Sequence, residues 1–143
     1  MTLPTNAQKR ASRKQFCFGA AVGLAGAPLL LASCGENLPE IERGKPIVEE
    51  SKLKPNTAFT FADAETGEAR VLVRLSDGKF TLNSAECTHR GCTVEYKPEE
   101  GFLKCPCHGS TYDPASGALF EGPAKEPLAE FAVRIEGGKV FSA

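Results

Sequence analysis

Two stretches, Cys87-Thr88-His89-Arg90-Gly91-Cys92 and Cys105-Pro106-Cys107-His108-Gly109-Ser110-Thr111-Tyr112, decide how this chain is read. They hold four of its six cysteines and both of its histidines. Each offers one thiol and one imidazole at nearly equal reach, as Cys87-x-His89 and Cys105-x-x-His108. The fifteen residues between His89 and Cys105 are enough for an out-and-back hairpin. Two loops brought together in this way clasp a centre from two sides, with sulfur for one metal and nitrogen for another. A structural zinc site is the alternative, because Cys87-x4-Cys92 lies within ordinary zinc spacing. Zinc ligand pairs leave unexplained why a Cys-x-His in one loop is mirrored by a Cys-x-x-His in the other.

Two sulfur and two nitrogen ligands shared between two metals suit a [2Fe–2S] cluster in which two His replace two Cys on one iron. The pattern Cys-x-His-x-Gly-Cys followed by Cys-x-Cys-His-Gly-Ser resembles the Rieske family. The resemblance is strongest from Cys87 to Asp113 and extends weakly to Gly122-Pro123-Ala124, which is similar to the family's proline-containing third loop. It implies one [2Fe–2S] cluster, with Cys87 and Cys105 on the inner iron and His89 and His108 on the outer, solvent-facing one. Cys92 and Cys107 match the pair that forms a loop-tying disulfide in the high-potential branch. Rieske oxygenases and their ferredoxins lack that pair. Ser110 and Tyr112 stand where the family places hydroxyl donors to a bridging sulfide and a ligand thiolate, which stabilise the more negative reduced state. Two ferric ions, two sulfides, two thiolates and two neutral imidazoles sum to zero, against a negative four-Cys cluster. The implied potential therefore lies high in the Rieske range of about −150 to +300 mV.

The chain has 143 residues, room for one modest domain, with 41% hydrophobic and 24% charged residues. Its formal charge is −1, but residues 1–33 carry Lys9, Arg10, Arg13 and Lys14 and no acid. The remainder holds 13 basic against 18 acidic side chains, which argues against a nucleic-acid partner. An acidic surface of this kind steers basic redox partners or is simply solvated.

The polar, basic residues 1–15 run into the apolar stretch 16–33, the n-region and h-region of an export signal. Ser12-Arg13-Lys14-Gln15-Phe16 resembles a twin-arginine signal with lysine at its second arginine. Leu31-Ala32-Ser33-Cys34 is similar to a bacterial lipobox, which makes Cys34 the lipidation site. A retained transmembrane anchor is the alternative, although eighteen residues containing Pro28 are short for about 30 Å of hydrocarbon. Either way the expectation is an exported bacterial protein tethered at the periplasmic or outer face of the membrane. A structural disulfide also requires an oxidising compartment.

Residues 34–56 are polar with Pro39, Pro46 and Pro55, and read as a flexible tether. From 57 to 143 the expectation is an all-β domain, a small antiparallel Rieske-type sandwich or barrel with the cluster loops at its tip. Expected strands are Thr57 to Phe61, Ala69 to Leu75, Lys79 to Leu82, Thr93 to Tyr96, Phe102 to Cys105, Leu128 to Ile135 and Lys139 to Phe141. Asp77-Gly78 and Gly137-Gly138 are hairpin signals. Alternation in Val71, Val73, Leu75 predicts one buried face, with Arg74 on the other. Phe120 and Gly122-Pro123-Ala124 are expected to cover the cluster loops.

The sequence carries no nucleophile–base pairing and no phosphate loop, so one-electron transfer is the expected chemistry. The resemblance implies the iron–sulfur subunit of a quinol–cytochrome c oxidoreductase of the bc type, with cytochrome b, a cytochrome c-like acceptor and quinol as partners. Where bc subunits usually have leucine this chain has Arg90, which suits an acidic protein partner or is merely a solvated side chain, and the second expectation is therefore the small subunit of a molybdenum oxidoreductase such as arsenite oxidase. A zinc-stabilised lipoprotein that only binds partners is the expectation from another class.

Overall fold

The computed structural model describes residues 37–143. The expected export signal and the lipidation site Cys34 lie outside the described residues. Twelve short strands make up nearly all the regular structure: β1 (Glu40–Ile41), β2 (Val48–Glu49), β3 (Thr57–Asp63), β4 (Ala69–Arg74), β5 (Phe80–Ser84), β6 (Glu95–Lys97), β7 (Phe102–Lys104), β8 (Thr111–Tyr112), β9 (Leu119–Glu121), β10 (Glu130–Phe131), β11 (Val133–Glu136) and β12 (Lys139–Ser142). The one helical element among the described residues is a 3-10 turn at Glu50–Lys52. The strands form three sheets, ordered β1-β3-β4-β5-β10, β11-β12-β2 and β6-β7-β8-β9. All pairings are antiparallel except β1 with β3, which is parallel.

Valine, phenylalanine and threonine recur through β3 to β5, and such residues fit a pleated surface that is packed. The five-stranded sheet is covered on both sides. Val71 and Val73 pack with Ala85, Val94, Leu103 and Tyr112 on the side of the cysteine loops. Leu72, from the same strand, packs with Phe61, Leu82, Ile47, Leu53 and Val140 on the other. A single buried face for β4 was therefore too few. Arg74 does lie opposite the valines, but its guanidinium donates to the carbonyls of Glu50 and Leu53 at 2.8 and 2.9 Å and lies over the Phe80 ring.

Within the described residues 37–56, that second core holds segments of the stretch expected to be a flexible tether. Glu40–Ile41 adds to the edge of β3, Val48–Glu49 pairs with β12, and Ile47 and Leu53 are buried. Polar composition concealed this, because two apolar side chains and a few backbone bonds suffice to fix so short a cover. Leu128 to Ile135 is likewise split, with Glu130–Phe131 pairing β5 and Val133–Glu136 pairing β12. Gly137 and Gly138 form the two-residue loop of the β11–β12 hairpin, as their dipeptide suggested.

Asp63 and Arg70 form an ion pair of 2.8 Å with side chains only 7% and 11% exposed. Burial pushes the Asp63 carboxyl up, but N–H donors from Thr66 and Glu65 and the Arg70 charge outweigh it, so its pKa falls below the ordinary value. A depressed folded-state pKa contributes stability that is complete above the unfolded value of about 3.9 and is lost as pH falls through the folded value. Breaking such a buried pair costs roughly 3–5 kcal/mol. Asp63→Asn should therefore lose a few kcal/mol at pH 7, and its urea midpoint should change less between pH 5 and 2.5 than that of the wild type. Parallel acid limbs in the two proteins would contradict this account.

Candidate metal centre

The two cysteine loops share one backbone design. The Cys87 N–H bonds to the carbonyl five residues on, at Cys92, and the Gly91 N–H returns to the Cys87 carbonyl, at 2.9 and 2.8 Å. The Cys105 N–H bonds to the Ser110 carbonyl and Gly109 N–H returns to Cys105, at 2.8 and 3.0 Å. Gly91 and Gly109 have φ of 75° and 79°, the left-handed conformation that closes such a loop at least cost in glycine. The same pattern recurs at 63–68 and 113–118, each opened by an aspartate. There the Asp63 carboxylate accepts N–H groups from Glu65 and Thr66, and Asp113 accepts from Ala115. In the cysteine loops a sulfur takes that position: His89 N–H faces Cys87, and the N–H groups of Cys107 and His108 face Cys105. Each thiol thus sits in a backbone pocket of donors, the arrangement that binds an anion.

Cys87 and Cys105 are buried, free of disulfide, and in contact with each other. Burial pushes the Cys87 thiol up, but donation from the Tyr112 hydroxyl, the His89 amide, Cys105 and Ser110 outweighs it, so its pKa lies below the ordinary value. Cys105 is raised, by burial first and then by Cys87 beside it. The Tyr112 hydroxyl lies 3.3 Å from Cys87 Sγ and is itself raised by burial and by that contact. Thr88 Oγ1 lies 3.2 Å from the Tyr112 hydroxyl and donates to the Glu126 carbonyl at 2.8 Å.

His89 and His108 meet at the end of the same loops, ring centroids 4.7 Å apart and nearly perpendicular. His108 is exposed and His89 half-buried. The His89 pKa is lowered by its burial, then by His108 and Arg90. Its Nδ1 is buried and has no hydrogen-bond partner. A buried ring nitrogen without a partner is costly unless something else takes its lone pair. The loop that carries it also carries Cys87, a buried cysteine free of disulfide.

Cys92 and Cys107 are joined in a disulfide across the two loops. The sulfurs of Cys92, Cys105 and Cys107 lie within 4.8 Å of one another, which taken as distances alone suggests a three-sulfur metal site. The disulfide removes that reading, because two of those sulfurs have no thiolate to offer. It weakens the zinc alternative by the same step, since Cys92 cannot pair with Cys87 as a ligand.

The third loop closes the site. Ala124 N–H donates to Ser110 Oγ at 3.2 Å, and both residues are buried. Phe120 does not share in this cover. It is 60% exposed, because β9 pairs through Leu119 and Glu121 and turns the intervening side chain outward. Thr88 passed unnoticed in the sequence, because a hydroxyl in a turn usually bonds only to local backbone.

Two buried, free thiols in donor pockets and two imidazoles in contact on the same two loops form a donor set that would fit a mixed-ligand metal cluster. Residues 44–132 match the family model described as Rieske [2Fe-2S] domain. The chain belongs to that family, whose group is one [2Fe–2S] cluster. It is 39% identical over 71 residues to the cytochrome b6-f complex iron-sulfur subunit of Chlorobaculum tepidum, a match covering 50% of this chain and 39% of that one. With the subunit of the same name from Synechococcus elongatus it is 47% identical over 64 residues, 45% of this chain and 35% of the relative. The chain thus spans between a third and two fifths of the length of these relatives. A solved structure titled as a hyperthermophilic respiratory Complex III is similar with a TM-score of 0.54 at 26% identity, covering 80% of this chain and 81% of that one. Among the described residues no helix is long and apolar enough to cross a membrane.

Proposed function

We propose that Cys87 and Cys105 bind one iron and His89 and His108 the other, in the iron–sulfur subunit of a membrane quinol–cytochrome c oxidoreductase of the bc type. The observation that carries this reading is the Cys92–Cys107 disulfide locking the loops that hold the paired histidines. Relatives named as cytochrome b6-f subunits support the same assignment. When bound, the cluster supplies a one-electron carrier. The buried cysteines fix it to the core, while the histidines bring its outer side to the surface. With Nδ1 of His89 turned inward, Nε2 is the nitrogen left to exchange a proton with solvent or quinol. Backbone N–H groups and the Tyr112 hydroxyl hold the added negative charge.

The expected division into a leader at 1–33 and lipidation at Cys34 belongs to this proposal, and places the domain outside the cytoplasmic membrane. Arg90, exposed beside His89, favours a second reading. An arginine at the docking tip suits an acidic protein surface, and the second reading is the small subunit of an arsenite oxidase-like molybdoenzyme.

One preparation tests both. Tagged at its C-terminus and drawn from detergent-extracted membranes of its own host, the chain is expected to bring a protein with the absorption of b-type haem. Its intact mass should fit cleavage before a lipidated Cys34. Co-purifying molybdopterin without b haem transfers the assignment to the second reading, and a mass retaining Met1 removes the lipid anchor.

A further inference from the structure

We propose that Thr88 is a positioning residue that limits how fully the Tyr112 hydroxyl is given to the Cys87 sulfur, and so holds the potential of the centre below the value Tyr112 alone would set. The inference rests on Cys87 being a ligand, as proposed above.

The argument is a count of hydrogens. Thr88 Oγ1 carries one, and at 2.8 Å the Glu126 carbonyl takes it, a carbonyl being able only to accept. At its 3.2 Å contact with the Tyr112 hydroxyl, Thr88 is then left to accept. Tyr112 also carries one hydrogen, and a ligated Cys87 sulfur, 3.3 Å away, has none to give. One phenolic hydrogen therefore faces two acceptors, Thr88 Oγ1 and Cys87 Sγ. A hydrogen shared in this three-centre fashion serves each acceptor less well than one committed to either. The bond to the carbonyl is short, and the 3.2 Å contact between Thr88 Oγ1 and the Tyr112 hydroxyl is long for two oxygens, while 3.3 Å to sulfur is an ordinary length, so both acceptors stand within reach of the one hydrogen.

The consequence has a counterintuitive sign. Thr88 joins Tyr112 to the third loop, so a relay would have its removal weaken donation to sulfur and lower the midpoint. Competition predicts the reverse. A donor to a ligand sulfur stabilises the more negative reduced state, so freeing the hydrogen for Cys87 raises the midpoint. Tyr112 is fully buried, which leaves a rotated hydroxyl few other partners.

The test is an EPR-monitored redox titration of the full chain as wild type, Thr88→Val, Thr88→Ser, Tyr112→Phe and the Tyr112→Phe, Thr88→Val pair. Thr88→Val keeps the shape and loses the oxygen, and its midpoint is expected to rise. Thr88→Ser keeps the oxygen and should titrate with the wild type. In the Tyr112→Phe background the midpoint falls, and adding Thr88→Val should not move it further. That last comparison separates hydrogen sharing from simple loosening of the third loop, which would shift both backgrounds alike. Thr88→Ala, which removes the same oxygen, is expected to rise in the same direction and replaces Thr88→Val if the latter assembles poorly. A midpoint lowered or unmoved in the Thr88 variants, or raised equally without the Tyr112 hydroxyl, overturns the proposal. Iron and sulfide in the wild type are measured first: their absence would overturn the ligand set along with it, whereas normal loading confines any failure to Thr88.

Discussion

Serine at Cys87 or at Cys105 is expected to yield a folded chain without the visible absorption and acid-labile sulfide of the centre, while serine at both Cys92 and Cys107 retains the ligands and loses stability. Proximity alone cannot sort the sulfurs, since Cys105 falls within 4.8 Å of both disulfide sulfurs. Their bonding does sort them. Cys87 and Cys105 are buried and free, with backbone N–H groups facing their sulfurs, whereas Cys92 and Cys107 already satisfy each other. Removing a cross-link that closes a loop of 15 residues costs about 3 kcal/mol in the chain-entropy account. Iron and sulfide analysis beside urea unfolding reads both effects. Full loading in Cys105→Ser would break the ligand assignment, and an unchanged unfolding midpoint in the double variant would deny the disulfide its stabilising role.

Alanine at Gly122 is expected to be nearly as damaging, although Gly122 ligates nothing. A Cβ there would lie 2.4 Å from the Ser110 Cα and 2.7 Å from its Oγ, at a φ of 112° that side chains rarely adopt. The obstructing atoms are backbone and a short buried side chain, so neither can swing aside. Overpacking of about 1–3 kcal/mol adds to backbone strain of similar size. The third loop must lift, which breaks the Ala124 to Ser110 bond that seats it. Thermal unfolding should show a loss of several kcal/mol and the centre should bleach faster in air. Gly67→Ala is the comparison: it has positive φ but open space around it, and only the strain should remain. Equal losses in the two variants would mean that contact with Ser110 is not what excludes a side chain.

What the sequence disclosed was whatever sits in one short window. The proposed ligands Cys87, His89, Cys105 and His108 fall at spacings that few other chemistries require, and the Cys92–Cys107 disulfide that the family pattern implied is present. The all-β domain was equally visible, because β3 to β5 are rich in residues that favour strands and the turns between them contain glycine. Ile47 and Leu53 were hidden because their contribution depends on lying against Leu72 and Val140, which are distant in sequence. Phe120 misled for a related reason: an aromatic beside Gly122 suggests cover, but a register shift between β8 and β9 leaves it unpaired and exposed. The likeness between the cysteine loops and the Asp63 and Asp113 loops was invisible as sequence. They share little beyond a glycine, and their common feature is a pair of backbone bonds.

That likeness bears on how the domain handles charge. Peptide dipoles that elsewhere greet a fixed carboxylate are already aimed at the two sulfurs, and they belong to a frame pinned at both ends by its own ladder. An electron reaching the proposed centre would then meet surroundings oriented in advance, which need not turn to receive it or turn back to release it.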